Sequence, residues 1–164
     1  MFCIRRADIA DAENIHKAHM RSIQEVCAKD YSAEEIKAWG QREFNPIHRI
    51  NNIENDYVWV VSSDDGEIYG YGHFKINKSA DGISGYVHGL YFCPECIGLG
   101  LGKELMQEIF LIAKKSGLKE IQLDATLTSF KFYQKMGFKI SAPERKTMIN
   151  DVGVRSVPMS FCSF

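Results

Sequence analysis

Two hydrophobic periods alternate along the chain. Ala12, Ile15, His19, Ile23 and Val26 recur at three- and four-residue spacing, which predicts an amphipathic helix with that stripe turned inward. Asp8 is placed to cap it, and Asp11 and Glu13 sit near its positive end. Ser32-Ala33-Glu34-Glu35 has the form of a capping box and starts a second short helix, with Ile36 and Trp39 on its apolar side. Leu101, Leu105, Ile109 and Ile112 give a third helix its core face; Lys114 and Lys115 suit its negative end, and Gly117 stops it. A last helix is expected over 128–136. Between these the period shortens to two, and 2–6, 57–62, 67–76, 83–92 and 121–125 read as strands. Asp64-Asp65-Gly66 supplies hairpin-turn chemistry between the second and third. Residues 45–55, with Pro46 and many polar side chains, read as a loop. Residues 139–164 should form two more strands, broken near Asp151-Val152-Gly153. The pattern is an α/β chain with a mixed, mostly antiparallel central sheet of about seven strands and helices on both faces.

Composition narrows the class. The 164 residues are 45% hydrophobic, enough for one domain spanning 1–164. Lys and Arg total 20 against 21 Asp and Glu, and no long basic run appears, so no nucleic-acid partner is expected. No apolar run reaches bilayer length, and no secretory signal follows Arg5-Arg6, so no membrane partner is expected and the location expected is cytoplasmic. Cys3, Cys27, Cys93, Cys96 and Cys162 are an odd, scattered set rather than a disulfide framework. Cys93-Pro94-Glu95-Cys96 is half a zinc site or a redox pair by spacing, but no second pair is evident. The favoured reading is two cysteines in a loop and no metal.

The chemistry concentrates in YVHGLYFCPECIGLGLGKELMQEIFLIAKK, residues 86–115. A strand runs into a loop carrying Gly98, Gly100 and Gly102, and a helix follows at once. Glycines let backbone N–H groups approach an anion, and a helix N-terminus adds a favourable dipole. A P-loop needs glycine where Ile97 stands and Ser or Thr where Glu104 stands. A dinucleotide fingerprint needs a third glycine where Lys103 stands, although Asp124 is roughly in range for its acidic partner.

A third pattern fits. Ile97-Gly98-Leu99-Gly100-Leu101-Gly102 resembles the coenzyme A pyrophosphate loop, Q/R-x-x-G-x-G/A, of the GNAT-superfamily N-acetyltransferases. LYFCPE at 90–95 is similar to that family's splayed fourth strand and its exit. LDATLTSFKFYQKMGF at 123–138 resembles a second family block, at the expected distance, and Ile4-Arg5-Arg6-Ala7 resembles the first strand. The family usually has Gln or Arg where Ile97 stands; the backbone cradle survives that change.

The resemblance implies a GNAT fold and acetyl-CoA as cosubstrate, with direct transfer of the acetyl group to a primary amine in a ternary complex. It implies that Leu90, Tyr91 and Phe92 offer backbone groups to the pantetheine arm, and that the Leu90 amide polarises the thioester. Ile97, Gly98, Leu99, Gly100, Leu101, Gly102 and Lys103 would hold the pyrophosphate, while Ser129 and Phe132 flank the pantetheine. Tyr133 occupies the position of the usual general acid, and a core aromatic is its other reading. Where the family often has a carboxylate base, this chain has Tyr86 and His88, which a period of two puts on one face with Leu90. His88 suits a base near neutral pH and equally a structural histidine. His73 reads as structural. His16 and His19, one turn apart, read as surface histidines or as part of a metal pair lacking a third ligand. Ser22, Tyr31 and Trp39 are candidates for an acceptor pocket, and Tyr31 and Trp39 equally for core packing. Lys131 and Lys135 either meet the coenzyme's 3′-phosphate or form a solvated face. The acceptor expected is a small-molecule or peptide amine, and the protein a monomer or homodimer. Two rivals stand: a non-catalytic acyl-CoA-binding or regulatory module of the same fold, and a nucleotide-binding protein using the glycine loop.

Overall fold

In a computed structural model, which describes residues 1–79 and 82–162, strand β1 (Phe2–Arg6) leads through a 3-10 turn into helix α1 (Ala12–Glu25). The Asp8 side chain accepts from the Ala10 N–H, and Asp11 returns a bond to the Asp8 N–H, so the turn carries the cap that the sequence assigns to the helix. Ala12, Ile15, His19 and Ile23 are buried as expected; Val26, just past the helix, is half-buried. Ser32 and Glu35 form the capping box that opens α2 (Ala33–Gly40).

Residues expected as a loop form helix α3 (Pro46–Asn55). The Asn45 side chain accepts from the His48 N–H, and Pro46 holds the first helical position, where a missing N–H costs nothing. Pro46 is thus a start signal here. Ile53 is buried and Ile50 half-buried one turn apart, while Ile47 is 82% exposed, so the apolar stripe is too narrow to announce itself.

The remaining elements are β2 (Tyr57–Ser63), β3 (Ile68–Ser79), β4 (Gly82–Phe92), α4 (Leu101–Lys115), β5 (Ile121–Ala125), α5 (Phe130–Lys135), β6 (Lys139–Ile140), β7 (Arg145–Ile149) and β8 (Val152–Phe161). The expected last helix starts later, because Ser129 and Thr126 close a turn first, the Ser129 N–H bonding the Thr126 hydroxyl at 3.0 Å. The tail holds three strands rather than two; 163 and 164 lie outside the described residues. The sheet has eight strands against about seven expected, ordered β1-β2-β3-β4-β5-β8-β6, with β7 also on β8. Every pair is antiparallel except β4 with β5.

Each face of the sheet is covered. Phe74, Val87, Leu105, Ile109, Ile121 and Met159 are fully or nearly fully buried under α4 and α5. Val58, Val60 and Tyr71 pack on the opposite face under α1 and α3, and Ile23, Tyr31, Trp39 and Val154 join α1 and α2 to β8. No helix among the described residues is long and apolar enough to cross a membrane.

Two irregularities in β4 matter. It pairs with β5 only over Gly85–Tyr86–Val87, opposite Ile121–Gln122–Leu123. Past Val87 it continues to Phe92 on β3 alone, while β5 follows β8, so the strands diverge. The register with β3 also slips: His73 faces Gly89 and Phe74 faces Val87, leaving His88 as an extra residue. Such a bulge puts two consecutive side-chain positions on one face.

Candidate active site

The divergence of β4 from β5 opens a cleft of about 460 Å³. Its walls include Leu90, Tyr91 and Phe92 of β4, the start of α4, and Ser129, Phe132 and Tyr133. Gly98 and Gly100 of the loop have φ of +83° and +84°, a conformation that L side chains rarely adopt. No side chain among the described residues caps α4. Its first N–H groups therefore have neither an intrahelical nor a side-chain partner, and they carry the helix's positive end. Gly98, Gly100, Leu101, Gly102 and Lys103 all line the cleft, joined by Lys29 from beyond α1. That end suits a diphosphate, and the apolar stretch of Leu90, Phe92 and Phe132 suits a flexible arm. Ile97 is on the wall although 53% exposed; Leu99 is 58% exposed and off the wall. Lys131 and Lys135 are exposed and off it too.

Tyr133 lines the cleft and is 3% exposed. Burial pushes its phenol above the ordinary range, and a backbone hydrogen bond from Leu90 pulls the other way. It is a protonated donor throughout the neutral range, edge-on to Phe132 at 5.2 Å and to Phe138 at 5.6 Å. The Ser129 hydroxyl meets that of Thr126 at 2.8 Å.

Tyr86 and His88 are not in this cleft. The bulge breaks the two-residue period, so they lie on the face opposite Leu90, a correction to the expectation that they share its face. The Gly89 position is crowded: a Cβ there would stand 2.2 Å from the Tyr91 ring, so only glycine fits. On this face His88 stacks on His73 at 4.4 Å between centroids and lies 4.9 Å from Tyr86. Desolvation lowers the His88 pKa, with Asp56 opposing and Lys75 and His48 adding to the fall. His73 is structural as expected: it is buried, with Nε2 2.8 Å from Asp56, and burial outweighs that carboxylate in holding its pKa down. The Tyr86 hydroxyl donates to Asp124 of β5 at 2.6 Å, and Arg145 of β7 binds the same carboxylate oxygen.

All five histidines meet around one second cavity, of about 390 Å³, on the α1 and α3 side. Arg42, Arg49, Asp56, Tyr71 and Lys75 also line it. A partition of Tyr91 against His19, at 4.2 Å, and against Tyr71, at 5.6 Å, stands between this cavity and the cleft. His19 is buried, as its place on the α1 stripe has it and against its reading as a surface histidine, and no group of three potential metal ligands occurs among the described residues. Ser22 lines the cleft, whereas Tyr31 and Trp39 pack in the core, the Tyr31 hydroxyl donating to the Arg155 carbonyl at 2.8 Å. Cys93 and Cys96 are buried free thiols, both pushed up to about 11 by burial. The sequence does not announce Arg42, Arg49 or Asp56 as site residues, since each comes from a different segment and none belongs to a motif; Asp124 lies in the 123–138 block but reads there only as the acidic partner of a dinucleotide fingerprint.

The family model described as "Acetyltransferase (GNAT) domain" matches residues 27–162. A spermidine N(1)-acetyltransferase of Thermoplasma acidophilum is 29% identical over 147 residues, 84% of this chain and 88% of that protein. An L-methionine sulfoximine/L-methionine sulfone acetyltransferase of Salmonella typhimurium is 26% identical, over 85% of this chain and 81% of that protein. Among solved structures, the PaiA N-acetyltransferase of Thermoplasma acidophilum in complex with coenzyme A aligns with a TM-score of 0.76, 25% identity and 99% of both chains. A GCN5-related N-acetyltransferase from Rhodopseudomonas palustris aligns with a TM-score of 0.84 over 98% of this chain and 95% of that one, and at 19% identity it speaks for the fold alone.

Proposed function

Since the chain belongs to the GNAT acetyltransferases, an acetyl-CoA-dependent enzyme family, we propose that it transfers acetyl directly to a primary amine through the residues below. The observation that carries this is the cleft where β4 parts from β5: it starts on an uncapped helix and is lined by Leu90 of the diverging strand and by the buried Tyr133.

The amides of Gly98, Leu99, Gly100, Leu101, Gly102 and Lys103 would hold the coenzyme's diphosphate, with Ile97 contributing only its backbone and Lys29 and Lys103 adding charge. Leu90, Tyr91, Phe92, Ser129 and Phe132 would flank the pantetheine arm. The cosubstrate supplies an activated acyl thioester. The Leu90 N–H would exchange the Tyr133 hydroxyl for the thioester's carbonyl oxygen and stabilise the negative charge that develops there. Tyr133 delivers the proton that the departing thiolate needs. On the acceptor side His88, with Tyr86 beside it, removes the proton from the amine; its lowered pKa keeps the imidazole neutral and able to accept. Asp124 fixes the Tyr86 hydroxyl and is a positioning residue. A ternary complex is favoured over a covalent route, because thiols held near 11 are poor nucleophiles at neutral pH. Five free cysteines suit a reducing cytoplasm.

Thermal unfolding with acetyl-CoA, against ATP and NAD as controls, tests the cofactor. A hundredfold excess over Kd should add about 2.7 kcal/mol, a rise in Tm of roughly 5–10 °C for a chain of this size. A rise with ATP or NAD and none with acetyl-CoA would discard the reading.

A further inference from the structure

Resting on the acetyl-transfer reading, we propose that the acceptor amine also carries a compact anionic group, a carboxylate or phosphate, which Arg42 and Arg49 bind in the histidine-lined cavity. Both arginines line that cavity, and neither forms an ion pair among the described residues. Four other arginines in the chain do: Arg5 with Asp11, Arg21 with Glu25 and Glu95, Arg145 with Asp124, and Arg155 with Glu35. Arg42 spends its Nε donor on the Trp39 carbonyl at 3.0 Å. Arg49 lies 5.0 Å above the Tyr71 ring and reaches His19 Nδ1 at 3.5 Å. Arg49 also bonds the Tyr71 hydroxyl, and neither guanidinium is paired with a carboxylate among the described residues, on side chains that are already half-buried. A half-buried guanidinium with free donors is a fork for an oxyanion.

His19 stands beside the arginines on this wall: its Nδ1 meets the Tyr71 hydroxyl at 3.1 Å and Arg49 at 3.5 Å. Its Nε2 is buried and has no partner among the described residues. The two guanidiniums still lack an anionic acceptor. The carboxylates nearby do not supply it. Asp56 is held by His73 at 2.8 Å and Lys75 at 3.8 Å, and Glu43 is exposed and forms no ion pair with either arginine.

The cavity also has the right address. His88 is on its wall and stands two positions from Leu90, whose backbone meets Tyr133. An acceptor with its anion on the arginines extends its amine past His88 into the gap where β4 leaves β5 beyond Val87, rather than through the Tyr91 ring. The same two charges repel a polycation, so the acceptor class departs from that of the spermidine relative.

The test is a coenzyme A release assay on matched amines: amino acids against their amides, 2-aminoethyl phosphate against ethanolamine, and spermidine. The charged member of a pair should show about 10- to 100-fold higher kcat/KM, and which pair is split more widely tells carboxylate from phosphate. Arg42→Gln and Arg49→Gln should each shrink that ratio about tenfold through KM, with the acetyl-CoA Kd unchanged and Arg49→Lys recovering part of it. Equal or better turnover of the neutral amines or spermidine would overturn the proposal, as would a ratio that neither variant alters. So would no release from any anionic amine while acetyl-CoA still raises Tm. Only loss of the Tm response as well would also overturn the acetyl-transfer reading.

Discussion

At Tyr133 burial and chemistry favour the same state. A phenol driven above its ordinary range by desolvation cannot ionise near neutral pH, so it is always available as an acid. Tyr133→Phe should lower kcat about 10²-fold and leave the acetyl-CoA Kd unchanged, as read by thiol release and titration calorimetry; an unaltered kcat removes Tyr133 from the mechanism. His88 works with the opposite sign. Its lowered pKa means that the imidazole is protonated, and useless as a base, only on the acidic side of the ordinary histidine value. The kcat/KM profile should rise through a pKa below that value and then flatten, and His88→Ala should abolish the rise. A limb that survives His88→Ala assigns the proton to another group. Tyr133 was legible because it ends a contiguous block, 123–138, with a motif of its own. Asp124 lies in that block yet reads there only as the acid of a disfavoured dinucleotide fingerprint, since its role comes from Tyr86 and Arg145 reaching it from two other strands.

Among the elements, β4 carries both the correct and the incorrect part of the reading. Its extent and its parting from β5 follow from the sequence and the resemblance. The face of His88 does not, because alternation assumes an unbroken pleat and one extra residue inverts everything before it. The sign of the bulge is Gly89, a residue whose need is set by Tyr91 in space. Tyr91 has little room to yield, lying against His19 at 4.2 Å and Tyr71 at 5.6 Å. Gly89→Ala should therefore destabilise the protein by about 1–3 kcal/mol, lowering Tm by roughly 2–4 °C per kcal/mol, and should depress kcat by moving the Leu90 amide. Wild-type Tm and kcat in that variant would mean that the bulge is not held by this contact. The misread α3 teaches a similar point: Asn45 and Pro46 are turn formers by composition and helix starters by position, and only the docking of Ile53 on the sheet decides between them.

Across the whole molecule, the acceptor side must keep its place relative to the cleft, and a clamp between distant segments does this. Glu35 in the first turn of α2 receives Nε and Nη2 of Arg155 on β8, at 2.9 and 3.0 Å, from 120 residues away. Beside it the Tyr31 hydroxyl accepts from the Leu127 N–H at 2.9 Å while donating to the Arg155 carbonyl. Helix α2 runs directly into Arg42, so the clamp sets the position of one wall of the second cavity. The Arg155 guanidinium, helped by the Ser32 N–H, holds the Glu35 carboxyl down at about 2 against an ordinary 4.5. A depressed carboxylate adds stability above its unfolded pKa and loses it as pH falls toward the folded one. Urea unfolding should therefore show stability from this pair that is complete by about pH 5 and fades between pH 5 and 2. Arg155 is partly exposed, 34% by side chain, so screening leaves on the order of 1–2 kcal/mol of it. In Glu35→Gln the slope over that window should be shallower by that amount, and the stability at pH 7 lower. An identical pH profile in wild type and variant would show that the pair is solvated in solution, and that α2 is held to the sheet by Tyr31 and Trp39 instead.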